Sequence, residues 1–305
     1  MTGHPTSEAP LVSLVMVTNR VSPHLREALQ SVADQDYAHL ELLVIDDGCP
    51  EPAHLTAILD DYPVRVIHQE PSGVSVGRNR GASLAQGTLL GFVDDDDRYP
   101  PDWVAAHVDH HRDDPQIILS FARVRSINSS GDVMAEDALH DTDICGIYRR
   151  DVQILAGSML VRREAFLLAG GFNPVVRYAE DLDFVLRCAH LGPFSYVPST
   201  ARDYRTHEGN TTSRYRSVAR SIRAVNQMHR DAMKVADRAD LVRALRLSDM
   251  ANDRYAFWRA TGAARDMAYR QQPVQSVAEI FWAVRFAPLA PLDALRRRIP
   301  KTRAQ

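Results

Sequence analysis

Four short apolar runs, separated by stretches of helical pattern, occupy the first hundred residues of this chain. They are "LVSLVMV" (11–17), "LELLVID" (40–46), "VRVIH" (64–68) and "TLLGFVD" (88–94). The first is continuously apolar, as a strand covered on both faces should be. Between the runs lies "SPHLREALQSVADQ", with Ser22 as N-cap, Pro23 at the first helical position, and Leu25, Ala28, Leu29 and Val32 at helical spacing. "EPAHLTAILDDY" follows with Leu55, Ile58, Leu59 and Tyr62 on one face, and then "GVSVGRNRGASLAQ". Strands joined through helices of this length imply right-handed crossovers and a parallel sheet. Such sheets bind ligands beyond the carboxyl ends of their strands. Three of those ends are polar here: "TNR" after the first strand, "DDG" after the second and "DDDD" after the fourth.

The last of these, Asp94–Asp97, concentrates like charge where a buried strand leaves the core, a costly arrangement unless something positive joins it. One reading is a solvated acidic turn ahead of a helix near Pro101, favoured by the helix dipole. The other is a divalent cation site for a diphosphate. Hard cations such as Mg²⁺ and Mn²⁺ take oxygen ligands, commonly one or two carboxylates plus substrate phosphates. An Asp-x-Asp spacing in extended chain puts both carboxylates on one side.

The remaining features narrow the class. An apolar fraction of 45% and a charged fraction of 25% are ordinary for a globular protein. Three dispersed cysteines, Cys49, Cys145 and Cys188, offer neither a CxxC pair nor a disulfide framework, which points to a reducing, cytoplasmic setting. "MTGHPTSEAP" has no basic start and no apolar segment, so residues 1–10 read as a disordered lead. No run reaches membrane-spanning length. His107 and His111 sit i, i+4 like a metal pair, but they share a stripe with Val104 and Val108 and read as packing. Gly73, Gly77 and Gly81, spaced by four, match no phosphate-binding fingerprint and read as close helix contacts.

Beyond residue 115 the alternation weakens. "QIILSFARVRSIN" and "QILAGSMLV" (153–161) read as strands, "RREAFLLAGGF" as a short helix stopped at Gly170–Gly171, and "AEDLDFVLRCAHLG" as a clear helix. From Ser199 to Gln272 there is no proline, and mostly helix is expected.

Several segments, in order, resemble the family 2 glycosyltransferases of GT-A fold. They are "VSLVMVTNR", "LLVIDDG", "GVSVGRNRGASLAQGTLLGFVDDDDRYPPDW", "GSMLVRREAFLLAGGFN", "AEDLDFVLR" and "YRTHEGNTT". The resemblance implies a Rossmann-like, mostly parallel α/β sheet over residues 11–213. Residues 11–115 would form the nucleotide-binding half and residues 116–213 the acceptor half, with a helical, Arg-rich region over 214–305. It implies a metal-dependent, inverting transfer of a single sugar from a nucleotide-diphosphate donor, UDP-sugar favoured, to a hydroxyl acceptor. Thr18, Asn19 and Arg20 would line the nucleotide, Asp47 would hydrogen-bond the base, and Arg78 would sit beside it. Asp94 and Asp95 would lie around the ribose and donor sugar, and Asp96 would ligate Mn²⁺ or Mg²⁺. His207 would be a further metal or diphosphate contact, Asp181 the general base, and Glu180 its acceptor-side neighbour. The chain departs from the family in lacking an aromatic after the first strand, where it reads Val17-Thr18-Asn19-Arg20. It also lacks the Gln-x-x-Arg-Trp motif of polymerising members, so repeated extension is not expected. Two other readings stand beside this one: a nucleotidyltransferase, disfavoured because "TNRVSPH" has no glycine or lysine, and a sugar-nucleotide-binding module without chemistry.

Charge divides the chain. Residues 1–200 hold 29 acidic and 15 basic side chains, whereas residues 201–305 hold 10 acidic and 21 basic. The basic part lacks an interleaved nucleic-acid motif. Its segment 274–305 couples Phe281, Trp282 and Phe286 to Arg296, Arg297 and Arg298. That pattern fits an anionic membrane surface at the inner face of the cell membrane, or an intramolecular or homo-oligomer interface with a basic rim.

Overall fold

A computed structural model describes residues 9–137, 142–206 and 214–291. In chain order the first half is β1 (Val12–Thr18), α1 (Leu25–Ala33), β2 (Leu40–Asp47), α2 (Pro52–Leu59), β3 (Val64–Gln69), α3 (Val74–Leu84), β4 (Leu89–Val93) and α4 (Trp103–Asp113). There follow β5 (Leu119–Ile127), β6 (Val133–Glu136), α5 (Ile144–Arg149), β7 (Met159–Arg162), α6 (Arg163–Leu168), α7 (Glu180–Cys188) and β8 (Phe194–Arg205). Three helices close the sequence: α8 (Tyr215–Val235), α9 (Ala239–Tyr269) and α10 (Pro273–Phe286). One compact unit contains residues 9–137, 142–143, 152–175 and 180–206; a second, helical unit contains residues 144–151, 176–179 and 214–291.

The first unit is an eight-stranded sheet in the order β3-β2-β1-β4-β7-β5-β6, with β8 paired to β5. The four leading strands are parallel, as their crossovers require. β7 runs antiparallel to β4 and β5, whereas β8 runs parallel to β5. α1 starts later than its sequence implies. The Ser22 hydroxyl accepts the His24 N–H at 3.2 Å and the Ser22 carbonyl accepts the Leu25 N–H at 3.1 Å, turning the chain before the first helical residue.

α3 lies against β1 because two of its residues have no side chain. A Cβ on Gly77 would stand 2.7 Å from Val17 Cγ1, and one on Gly81 would stand 2.3 Å from Val15 Cγ1. Gly77 and Gly81 are helix contacts, and the approach they permit sets the position of Arg78 between them; Gly73 is not one, since a Cβ there would meet nothing within 4 Å, and its φ of +91° serves the turn into α3. Phe92 of β4, Phe166 of α6, Phe172 and Phe184 of α7 form an aromatic cluster with centroid separations of 4.8–5.8 Å. That cluster fixes where α7 begins.

β8 corrects the helical expectation from Ser199 onward. Its sequence, "FSYVPSTARDYR", hides a strand because Arg202, Asp203 and Arg205 are charged yet 2%, 2% and 1% exposed, each paired inside the protein. Charge normally signals solvent, and here ion pairs take its place. Among the described residues of this stretch, helix is found from Tyr215, in α8 and α9.

His107 and His111, one turn apart on α4, are buried and hydrogen-bonded in one direction. His111 donates from Nδ1 to the Ile117 carbonyl at 3.2 Å, and its Nε2 accepts the Ser120 hydroxyl at 3.0 Å. That hydroxyl accepts from His107 Nδ1 at 2.7 Å, which leaves His107 Nε2 a buried acceptor without a partner. Both imidazoles are therefore neutral. Burial pushes the His107 pKa well below its ordinary value and that of His111 down to about 4. The unfolded chain, titrating near 6.5, then binds more protons than the folded one between those values, so this contribution to stability is lost as pH falls. By urea unfolding at pH 7 and pH 5, the wild type should lose about 2 kcal/mol more than His111→Gln. Equal losses would mean that His111 is charged in the folded protein.

In the helical unit, α10 buries Trp282 and Ala283 in a cluster with Ala219, Ala256 and Ala260. Trp282 stacks on Phe286 at 4.9 Å, and the Arg223 guanidinium lies 3.6 Å from the Phe286 ring centre. Two of the three aromatics singled out in this segment are thus intramolecular packing. The outward face carries Val274, Val277, Ile280, Phe281 and Val284, all exposed. Among the described residues no helix is long and apolar enough to cross a membrane.

Candidate active site

The strand order places β1 between β2 and β4, so the chain leaves β1 in one direction and returns to its other side. The crevice at the carboxyl ends of β1 and β4 is the topological switch point of the sheet, where such folds bind ligands. The register pairing Val12 with Leu89 and Met16 with Val93 carries on to set Thr18 level with Asp95. The Thr18 hydroxyl accordingly donates to Asp95 Oδ2 at 2.6 Å.

The four aspartates divide into two pairs. Asp94 and Asp97 are paired with arginines, although at Asp97 burial outweighs Arg202 and pushes the carboxyl up to about 7. Arg78 Nη2 lies 3.0 Å from Asp94 Oδ1, and Arg202 Nη2 lies 2.7 Å from Asp94 Oδ2. Arg202 also donates from Nε to Asp97 Oδ2 at 2.5 Å, and Asp97 Oδ1 accepts the Arg205 backbone N–H at 2.9 Å. Although burial pushes Asp94 upward, the two guanidinium groups outweigh it and hold the carboxyl below its usual range. Asp95 and Asp96 meet a different arginine. Arg20, itself 43% exposed, is 3.6 Å from Asp95 and 3.0 Å from Asp96. Burial raises the Asp95 pKa to about 6, partly opposed by Thr18 and reinforced by Asp96. Arginines thus supply much of the positive charge expected of the acidic run.

The Asp95 and Asp96 carboxylates suit a hard divalent cation. Their oxygens are the right donors, and the cation would offset the burial that raises Asp95. Among the described residues no group of three or more His, Cys, Asp or Glu converges on a point. A cation here would rely on one or two carboxylates and take its other ligands from a substrate, as Mg²⁺ commonly does. His207 lies outside the described residues.

The other expected residues surround the same crevice. Asp47, at the end of β2, accepts the Ser72 N–H and the Gln69 side chain on Oδ1 at 2.8 and 2.7 Å, and the Gly73 N–H on Oδ2 at 2.8 Å. It pins the loop that enters α3. From α3, Arg78 reaches Glu180 Oε1 at 3.2 Å and lies 5.4 Å from the Phe172 ring centre. Asn79 exchanges two hydrogen bonds with the Phe172 backbone, at 2.7 and 2.8 Å. A side chain on Gly171 (φ +66°) would collide with it. These contacts bind the segment before α7 to α3. Asp181 stands in the first turn of α7, its Oδ1 accepting the Leu182 N–H at 2.7 Å. Asn19 is exposed.

Thr18, Arg20, Asp95 and Asp96 therefore form one group of contacts and Arg78, Asp94 and Glu180 a second, the two meeting where Asp94 and Asp95 are adjacent in the chain. Sequence reasoning missed Arg202 and Arg205. The available signal was electrostatic: four adjacent carboxylates need counter-charge, and "ARDYR" supplies two arginines beside the already noted "YRTHEGNTT".

This sheet, with its ligand crevice between the first and fourth strands and carboxylates at the rim, defines a GT-A fold. The profile of glycosyl transferase family 2 matches residues 13–166, and the chain belongs to that family. The putative glycosyltransferase EpsH of Bacillus subtilis is 26% identical over 68% of this chain and 64% of its own length. Chondroitin synthase of Escherichia coli is 25% identical over 67% of this chain, which spans only 30% of that protein. Among solved structures, TarS 1–349 of S. aureus in complex with UDP-GlcNAc superposes with a TM-score of 0.64 at 18% identity, over 94% of this chain and 87% of that one. The mannosyltransferase PcManGT of Pyrobaculum calidifontis, in complex with GDP-Man and Mn²⁺, gives 0.59 at 17% identity, over 94% and 88%.

Proposed function

We propose that this protein is a metal-dependent glycosyltransferase. It moves one sugar from a nucleotide-diphosphate donor to an acceptor hydroxyl with inversion at the anomeric carbon. The observation that carries the reading is the arrangement at the switch point: the carboxylates of Asp95 and Asp96 just beyond β4, next in the chain to Asp94, which Arg78 joins to Glu180 in the helix turn that also bears Asp181. Structural neighbours crystallised with UDP-GlcNAc, or with GDP-Man and Mn²⁺, support a sugar-nucleotide ligand.

In this mechanism Asp96, with Asp95 beside it, would hold Mn²⁺ or Mg²⁺. The ion supplies Lewis-acid neutralisation of the departing diphosphate. Asp181 takes the proton from the acceptor hydroxyl as its oxygen attacks the anomeric carbon. The bond from that carbon to the diphosphate oxygen breaks on the opposite face, and its electron pair leaves with the nucleotide. One displacement gives inversion. Thr18 orients Asp95, and Asp47 secures the loop from which α3 carries Arg78. A thermal-shift panel of UDP-, GDP- and dTDP-sugars with Mn²⁺ or Mg²⁺ tests the reading. At least one donor should raise the melting temperature only in the presence of the cation. A panel without any shift would contradict it.

We further propose that the outward face of α10 rests on an anionic bilayer. Val274, Val277, Ile280, Phe281 and Val284 face outward, the helix's one acid, Glu279, is buried against Arg216, and residues 292–305 carry five basic side chains against one acidic. Apolar area with adjacent positive charge is the signature of interfacial binding. The wild type should float with vesicles containing phosphatidylglycerol, and Val277→Ser/Phe281→Ser should not. Equal flotation of the two, or a dimer lost on the same substitutions, would overturn the assignment.

A further inference from the structure

The buried guanidinium of Arg202 has no role in the reading so far, and its surroundings give it one. It occupies β8 with 2% of its surface exposed, and it joins Asp94 at 2.7 Å to Asp97, which it contacts through both Nε and Nη2. Asp94 spends its second oxygen on Arg78, and Arg78 spends its second arm on Glu180. Alternating charges therefore run without a break from Asp97 through Arg202, Asp94 and Arg78 to Glu180. They connect β8, the exit of β4, α3 and the start of α7. Asp95 and Asp96 lie in the chain between the two carboxylates that Arg202 grips, so the grip fixes both ends of the segment that presents them.

A glycine makes room for it. A Cβ on Gly157 would fall 2.2 Å from Arg202 Nη1 and 2.5 Å from Cζ, so the backbone before β7 lies flat against the guanidinium. Gly157 has no left-handed φ, so it is kept free of a side chain by this contact and not by backbone conformation.

We propose that Arg202 is a positioning residue for the transfer reaction: seated on Gly157, it clamps Asp94 and Asp97 so that Asp95 and Asp96 are held for the cation and stay in register with the helix turn of Asp181. Lysine cannot replace it, because a point charge on a flexible stem does not bridge two carboxylates as a planar fork does. The inference rests on the transferase reading.

The test uses the full chain and whichever sugar nucleotide gives the largest wild-type shift in the panel. Arg202→Lys keeps the charge and removes the bridge. Gly157→Ala changes no charge and displaces the guanidinium. For each variant and for the double variant, Mn²⁺ affinity with UDP, GDP or dTDP to match that donor is read by calorimetry, and kcat and KM are read alongside. Each single variant should remain folded, bind Mn²⁺ about tenfold more weakly and lose about 10- to 100-fold in kcat. The double variant should be no worse than the more affected single one, because both changes act through one guanidinium. Wild-type Mn²⁺ affinity and kcat in either folded variant, additive losses in the double, or unfolding of both singles would overturn the proposal; the last would make Arg202 a folding residue only. A wild type that binds no donor would instead remove the transferase reading beneath it.

Discussion

Replacing Asp181 by asparagine should lower transfer by about three orders of magnitude while donor binding stays within about twofold of wild type. The change is nearly isosteric; it removes the capacity to take a proton together with one negative charge near Arg78. Asp181 Oδ1 accepts the Leu182 N–H, a bond the amide oxygen of asparagine can also accept, so the start of α7 should survive. Glu180 keeps its pair with Arg78 in the variant. The expected pattern is a collapse of kcat with KM for the donor unchanged, measured by steady-state turnover of sugar nucleotide in the presence of Mn²⁺. A variant with more than a tenth of wild-type kcat would place the base elsewhere. A variant with lost donor binding would make Asp181 a binding residue.

Asp96→Asn should act on the other side of the reaction. Its carboxylate meets Arg20 at a partly exposed position, so the ligand-free protein should change in stability by less than about 1 kcal/mol. Affinity for Mn²⁺ together with the nucleotide should fall at least about 100-fold, because one of the two carboxylates proposed to hold the cation is gone. Calorimetric titration in each protein reads both quantities. An unaltered Mn²⁺ response in Asp96→Asn would move the cation away from the acidic run.

Much of this arrangement could be read from the sequence, for identifiable reasons. The parallel half of the sheet was legible because its strands are apolar and its crossovers are helical. The crevice was legible because three strands end in polar residues. Gly77 and Gly81 were correctly separated from phosphate loops by their spacing alone. β8 escaped because its buried arginines and aspartate imitate a surface segment, and no local pattern distinguishes a charge paired inside a protein from one in water. The same strand hid Arg202, so the counter-charge of Asp94 and Asp97 was credited to a cation. The run of four aspartates proved to be two acids bridged by Arg202, Asp94 and Asp97, flanking two that meet Arg20. In α10 the periodicity was clear but not which face turns inward; Trp282 and Phe286 are core, while Phe281 is outside.

The central claim is that a divalent cation and a sugar nucleotide meet at the carboxyl ends of β1 and β4. Anomalous scattering from crystals soaked with Mn²⁺ and the sugar nucleotide selected by the panel tests it most directly. The account predicts a manganese peak within about 2.5 Å of an Asp96 oxygen and next to the diphosphate, with the Asp181 side chain turned toward the sugar. A nucleotide bound away from that crevice, or manganese coordinated without Asp96, would contradict it.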